Sequence, residues 1–298
     1  MCRILRAIKI LGLIVLFMPV VSCNHSKKAS KETHGNQITE IKALKELILV
    51  DENSFIERLI GDQIGNEQKA KTILYWLANN MNWLATDYQQ RNVHEILERG
   101  GGNCHELAIV TMYFFEKANI KRRKVKEINV HVKSDRRQSD AEKRIAERGN
   151  TASVFGYMHN DHVWIEIYDE KNKKWIPVDP TMNIFGTQQW IESRLAFERS
   201  ETISPYSKDM IFPIGIYAID SESEEFIDRS QHYIVDEFKG YYEEGFDKKP
   251  EWGVWEKQTM VLSRLGLKAF KGSYNLHDSA SELEAVLSTF QALKPNRN

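Results

Sequence analysis

The sequence predicts an α+β fold, with N-terminal helices packed on an antiparallel sheet and a mainly helical C-terminal extension. Apolar residues recur at helical spacing up to a run of three glycines, Gly100 to Gly102. Two segments with the alternating pattern of strands follow, joined by a short polar turn at 169–172. Helical spacing then returns in the last third of the chain.

These patterns divide the chain into four segments. Its length of 298 residues allows one large domain or two small ones. We predict a signal peptide over 1–22, a flexible tether over 23–37, a main domain over 38–190 and the helical extension over 191–298. The tether is polar and has no apolar periodicity, as is typical of flexible segments.

The first residues have the pattern of an export signal. A basic start is followed by an apolar run from Ile10 to Val21, which is too short to span a bilayer. The run ends in Val-Val-Ser-Cys, which resembles the lipobox of bacterial lipoproteins. This resemblance implies that Cys23 becomes the acylated first residue, and several acyl chains together anchor a protein stably. We therefore expect an exported protein, lipid-anchored to the cell envelope at the outer membrane; a simple secretory signal is the alternative.

The charge balance argues against one class of partner. The chain carries 41 Lys and Arg against 42 Asp and Glu, so it has no general cationic field to hold nucleic acid. We expect no nucleic-acid partner.

Cys104 is the only free thiol expected after processing, because Cys2 leaves with the signal and Cys23 is acylated. Exported proteins usually carry cysteines in pairs, so a single unpaired one needs a use. The alternative is a buried cysteine that packs as a small hydrophobic residue. The residues around Cys104 favour a chemical role for its thiol.

Helices are predicted over 38–50, 55–60 and 67–81, and the three glycines then break the chain. Asn103 is predicted to cap the next helix, so Cys104 lies in its first turn. Free N–H groups and the helix dipole favour a thiolate there, and the N–H of Cys104 could stabilise an oxyanion. A phosphate cradle is the alternative, but the lysine and Ser/Thr of a P-loop are missing.

The two strands after a first strand at 125–132 form a predicted hairpin. If Tyr168 pairs with Lys173 across a four-residue loop, Asp179 lies opposite His162 on the same face of the sheet. A slip of one residue would separate them. A carboxylate beside an imidazole fixes its tautomer and supports its protonated form, as a base serving a thiol requires.

The motifs GGNCHELA and HVWIEIYDEKNKKWIPVDPT resemble those of the transglutaminase-like superfamily of papain-like thiol enzymes, over about residues 66–190. The resemblance implies that Cys104 is the nucleophile, His162 the general base and acid, and Asp179 the residue that orients His162. We expect Asp179→Asn to leave folding nearly intact. Asn103 and His105 flank the cysteine where animal transglutaminases carry Gln and Trp, so the side-chain partner of the oxyanion is open, with Trp83 as a candidate.

The resulting hypothesis is a cysteine-dependent enzyme that acts on amide bonds of a peptide or protein through an acyl-cysteine. Hydrolysis is the first choice and transfer to an amine the second. The alternative from another class is a lipoprotein that binds without turnover. We expect no cofactor and no metal, because the histidines near Cys104 lack a second close ligand pair.

The extension carries structural signals only. We predict a strand over 210–219 and helices over 231–242 and 257–270. Ser279 and Glu282 have the spacing of a capping box before a last helix.

Overall fold

The structure is a computed structural model that describes residues 51–84, 87, 89–131, 159–197, 211–220, 223–242 and 249–294. The predicted signal, the tether and the helix over 38–50 lie outside the described residues. Residues 51–298 form one compact unit.

In the described part of the chain, four helices precede the main sheet, and local sequence signals fix their ends. They are α1 (Glu52–Ile60), α2 (Asn66–Asn80), α3 (Val93–Arg99) and α4 (Cys104–Lys117). The Asp51 side chain accepts a hydrogen bond from the Ser54 N–H and so caps α1. Asn92 caps α3 through a capping box, and Gly100 ends it in the left-handed conformation that glycine adopts freely.

The main sheet has six antiparallel strands in the order β6-β5-β4-β3-β7-β8. The strands are β3 (Arg122–His131), β4 (His159–Asp169), β5 (Lys174–Asp179), β6 (Ile184–Phe185), β7 (Ile211–Ile219) and β8 (Phe226–Asp228). Two further short strands, β1 (Asn82–Trp83) and β2 (Gly101–Gly102), pair in parallel beside the start of α4. The hairpin that joins β4 and β5 is thus the one predicted from the alternating pattern.

The rest of the chain adds helices that follow or separate the last strands. They are α5 (Thr187–Arg194), a π-helix (Gln231–Glu237), α6 (Phe238–Tyr241), α7 (Glu251–Phe270), a 3₁₀ turn (Leu276–Ser279) and α8 (Ala280–Leu293). The predicted helix over 231–242 is therefore π-helical in its first half. The predicted capping box is wrong, because Ser279 makes no side-chain cap and its hydroxyl lies 2.7 Å from that of Tyr274.

The segment predicted as a separate extension is built into the sheet. β7 pairs with β3 along most of its length, and α7 packs on β7. A boundary at residue 190 would fall inside α5. The reason is the alternation in β7, where Phe212, Ile214 and Ile216 are buried and need partners from the core.

The two faces of β4 carry different residues. Val163, Ile165 and Ile167 face one side, where α2 and α4 pack against the strand. Trp164 faces the other side and joins the main hydrophobic cluster with residues of α5, the π-helix, α7 and α8. The Trp164 ring lies 5.3 Å from Tyr233 and 6.1 Å from Trp190. No helix in the described part of the chain combines the length and the apolar character needed to cross a membrane.

Candidate active site

The turn that leads into Cys104 admits only glycine. A Cβ atom on Gly101 would lie 2.3 Å from the Asn82 carbonyl oxygen, and one on Gly102 would lie 2.5 Å from the Cβ of Glu106. The backbone of β2 can therefore approach β1 and the first turn of α4 closely. Cys104 follows as the first residue of α4.

The first turn of α4 is fixed by a capping box. The Asn103 side-chain oxygen accepts from the Glu106 N–H at 3.1 Å, and Glu106 Oε2 accepts from the Asn103 N–H at 3.0 Å. Asn103 thus has the predicted capping role, and the Glu106 carboxylate stabilises the first turn of the helix.

Glu106 also holds a neighbouring loop against this turn. It is buried, and it accepts from Arg91 at 2.8 Å and from Arg99 at 3.3 Å. Asp87 lies 2.5 Å from Arg91 and 3.5 Å from Arg99. The segment before α3 is therefore tied to the helix that carries Cys104. Sequence reasoning missed both arginines, because nothing in their spacing relates them to Glu106.

The hairpin brings His162 and Asp179 together, but in a different register from the predicted one. Tyr168 pairs with Trp175, not with Lys173, and Asp169 pairs with Lys174. The predicted pairing was wrong by two residues, so Asp179 lies level with Trp164 and diagonal to His162. A shift of two keeps both side chains on one face. His162 Nε2 lies 2.8 Å from Asp179 Oδ2.

The Cys104 thiol lies close enough to His162 to raise the pKa of its ring. Because Nε2 is turned to Asp179, Nδ1 is the ring nitrogen left for the thiol. His162 and Asp179 are buried, whereas Cys104 is partly exposed. The structure thus brings the three predicted site residues together, and Cys104 is the partly exposed one.

The electrostatics of the pair favour an imidazolium beside a carboxylate. Burial alone would lower the pKa of His162, but the charge and hydrogen bond of Asp179, with smaller contributions from Cys104, raise that pKa well above its ordinary value. Burial alone would raise the pKa of Asp179, but His162 and Arg194 hold it well below the ordinary range. His162 therefore keeps a proton that it can deliver.

Arg194 is a member of the site that sequence reasoning missed. Its Nη2 donates to Asp179 Oδ2 at 2.8 Å and its Nε to Glu127 Oε1 at 3.1 Å. Glu127 Oε2 accepts from Trp164 Nε1 at 2.6 Å. None of the four side chains is exposed to solvent. No local signal marks Arg194, which is the last residue of a short helix; only the tertiary fold relates it to Asp179.

Trp83 and His105 lie beside the start of α4. Trp83 pairs with Gly102, two residues before Cys104, and its side chain is 48% exposed. His105 is exposed in the first turn of α4. The side chain of His159 lies outside the described residues. Within the part of the chain that the structure describes, no group of three or more His, Cys, Asp or Glu side chains is placed to hold a metal ion.

The helix-borne cysteine, with a histidine and an aspartate on neighbouring antiparallel strands, is an arrangement similar to that of transglutaminase-like proteins. Residues 53–180 match the family model described as the transglutaminase-like superfamily. No curated protein matches the chain.

Three solved structures are similar to the chain at low identity. A proposed cysteine protease from Cytophaga hutchinsonii is 15% identical with a TM-score of 0.31; the match covers 45% of this chain and 37% of that one. LapG of Legionella pneumophila is 10% identical over 68% of this chain and 96% of its own, with a TM-score of 0.33. Red sea bream transglutaminase is 12% identical over 70% of this chain and 42% of its own, with a TM-score of 0.38.

Proposed function

We propose that the protein is a cysteine-dependent enzyme that cleaves amide bonds in peptides or proteins through an acyl-cysteine intermediate. The observation that carries the proposal is the position of His162, which lies 2.8 Å from the Asp179 carboxylate and close enough to the Cys104 thiol for the thiol to raise its pKa. A histidine held between a helix-terminal thiol and a buried carboxylate can move a proton to and from a substrate.

The chemistry follows from these contacts. The Cys104 thiolate attacks the carbonyl carbon of the substrate, and the carbonyl electron pair moves to oxygen, where the Cys104 N–H can donate to it. The imidazolium of His162 then protonates the leaving nitrogen as the C–N bond breaks. His162 next takes a proton from water, which attacks the thioester and releases the acid and the free thiol. Asp179 holds the imidazole in the required orientation throughout.

Transfer to an amine differs only in the second step, in which an amine replaces water. Hydrolysis is the first choice because water is abundant at the cell envelope. One assay distinguishes the two reactions: the purified full chain is incubated with a peptide library, with and without a labelled alkylamine, and the products are identified by mass.

We expect peptide acids in both incubations, and loss of all products in Cys104→Ala. Amine-labelled products in place of acids would make the protein an acyltransferase. If the parent chain forms neither product but still binds peptides of the library, the protein is a binding lipoprotein and the enzymatic proposal fails.

We further propose that the protein acts at the outer membrane, held there by lipid on Cys23. The support is the Val-Val-Ser-Cys ending of the apolar run. Cys23→Ser should release the chain into the soluble fraction, and an intact mass without lipid on Cys23 would contradict the anchor.

A further inference from the structure

A buried pair of opposite charges lies beside the triad. Arg194 and Glu127 are fully buried and contact each other at 3.1 Å. Burying two charges is costly, and replacing a buried ion pair by apolar residues is often neutral for stability. The pair therefore needs a reason beyond stability.

The position of the pair suggests that reason. In the sheet, β4 lies between β3, which carries Glu127, and β5, which carries Asp179. One guanidinium reaches both carboxylates, and so it spans the strand that carries His162. Glu127 is also the direct strand partner of His162. The fixed fork of an arginine can hold two carboxylates in this way, whereas the single nitrogen of a lysine cannot.

The hydrogen bonds require a carboxylate at position 127. Each oxygen of Glu127 accepts from a different donor, Trp164 Nε1 on one and Arg194 Nε on the other. A glutamine has one acceptor oxygen, so its amide NH₂ would face one of these donors. Asp179 Oδ2 likewise accepts from both His162 and Arg194.

We propose that Arg194 and Glu127 are positioning residues of the triad: Arg194 fixes Asp179 against His162, and Glu127 balances the positive charge that Arg194 brings. This inference rests on the proposed function, because it assigns a role in the same site. Asp179 from β5 and Cys104 from α4 act on His162 directly, whereas Arg194 from α5 and Glu127 from β3 act on it through Asp179.

The proposal makes opposite predictions for the two members of the pair. Glu127→Gln leaves the charge of Arg194 unbalanced, so it should lower the pKa of His162 by about one unit. Arg194→Gln removes a positive charge, so it should raise that pKa by a similar amount. The double variant should return the pKa close to that of the parent.

The test titrates the His162 ring by NMR in full-length Cys104→Ser protein, with the signal assigned from a His162→Gln sample. Without the thiol, the result does not depend on turnover, so failure of this inference can be told from failure of the proposed function. Melting curves check that each variant is folded. If Arg194→Gln does not fold, the Glu127→Gln shift decides.

Glu166→Gln is the matched control. Glu166 is also fully buried on the same face of β4, and it accepts from Arg123 at 2.6 Å, Arg229 at 3.3 Å and Tyr233 at 2.6 Å. Its replacement disrupts a similar cluster without touching His162, so the pKa of His162 should stay unchanged. Shifts in the same direction for both members of the pair, or shifts no larger than that of the control, would overturn the proposal.

Discussion

At the scale of single residues, both carboxylate oxygens of Asp179 accept hydrogen bonds. Oδ2 accepts from His162 and Arg194, each at 2.8 Å, and Oδ1 accepts from the Thr181 backbone N–H at 3.0 Å. An asparagine here must turn its NH₂ toward at least one donor. The expectation from sequence that Asp179→Asn leaves folding nearly intact must therefore be revised, because it took no account of a buried arginine.

We predict that Asp179→Asn lowers the free energy of unfolding by about 3 kcal/mol, since it leaves His162 without a charged partner and Arg194 with Glu127 alone. Turnover should fall by about 10⁴, as in the serine triad. Urea unfolding and substrate kinetics measure the two effects. Asp62→Asn, at an exposed position between α1 and α2, should change neither.

The pH dependence of this stability loss has a defined sign. The lowered pKa of Asp179 contributes stability above its ordinary value of 3.8, and this is lost as the pH falls toward the lowered value. The raised pKa of His162 contributes stability below 6.5, and this is lost as the pH rises through the raised value. The difference in the free energy of unfolding between the parent and Asp179→Asn should be largest between pH 3.8 and pH 6.5. A difference that is equal at pH 5 and pH 10 would contradict the assignment.

At the scale of elements, the hairpin shows how far sequence reasoning reaches. Alternation predicts both strands and the shared face of His162 and Asp179. The register depends on the turn, where Asp169 accepts from the N–H groups of Lys171 and Asn172 and Lys173 adopts a left-handed conformation. These local hydrogen bonds leave no periodic signal, so the predicted pairing is displaced by two residues. The conclusion about the shared face survives because the side-chain period of a strand is two.

The first turn of α4 is an element whose geometry a single methyl group should disturb. We predict that Gly102→Ala displaces the start of the helix, because the new Cβ would meet Glu106 Cβ at 2.5 Å. Losing the capping box should cost about 1 kcal/mol, and Cys104 should move away from His162. Iodoacetamide should then modify Cys104 more slowly at pH 6.

Gly253→Ala is the matched control, because a Cβ there meets nothing within 4 Å on helix α7. It should leave the labelling of Cys104 unchanged and stabilise the helix by up to about 1 kcal/mol. A Gly102→Ala protein that is labelled like the parent would show that the turn does not position the cysteine.

For the whole molecule, the triad depends on chain segments far apart in sequence. The sequence predicts that Cys104 lies on a helix and that residues 210–219 form a strand, which is β7 in the structure. It contains no signal that β7 pairs with β3. For the same reason it assigns no chemistry to the predicted extension from residue 191 onward, although Arg194 of α5 contacts Asp179. Long-range pairings of this kind follow from packing, which local periodicity does not encode.

The pH dependence of Cys104 alkylation tests the central claim most directly, namely that Cys104 is a nucleophile whose thiolate depends on His162. In the folded parent chain, iodoacetamide should modify Cys104 readily at pH 6, because the His162 imidazolium lies close to the sulfur. His162→Ala should move this reactivity upward in pH, whereas His159→Ala, on the same strand, should barely change it. A Cys104 that is inert in the folded protein and is labelled only after unfolding would contradict the claim and identify a buried structural cysteine.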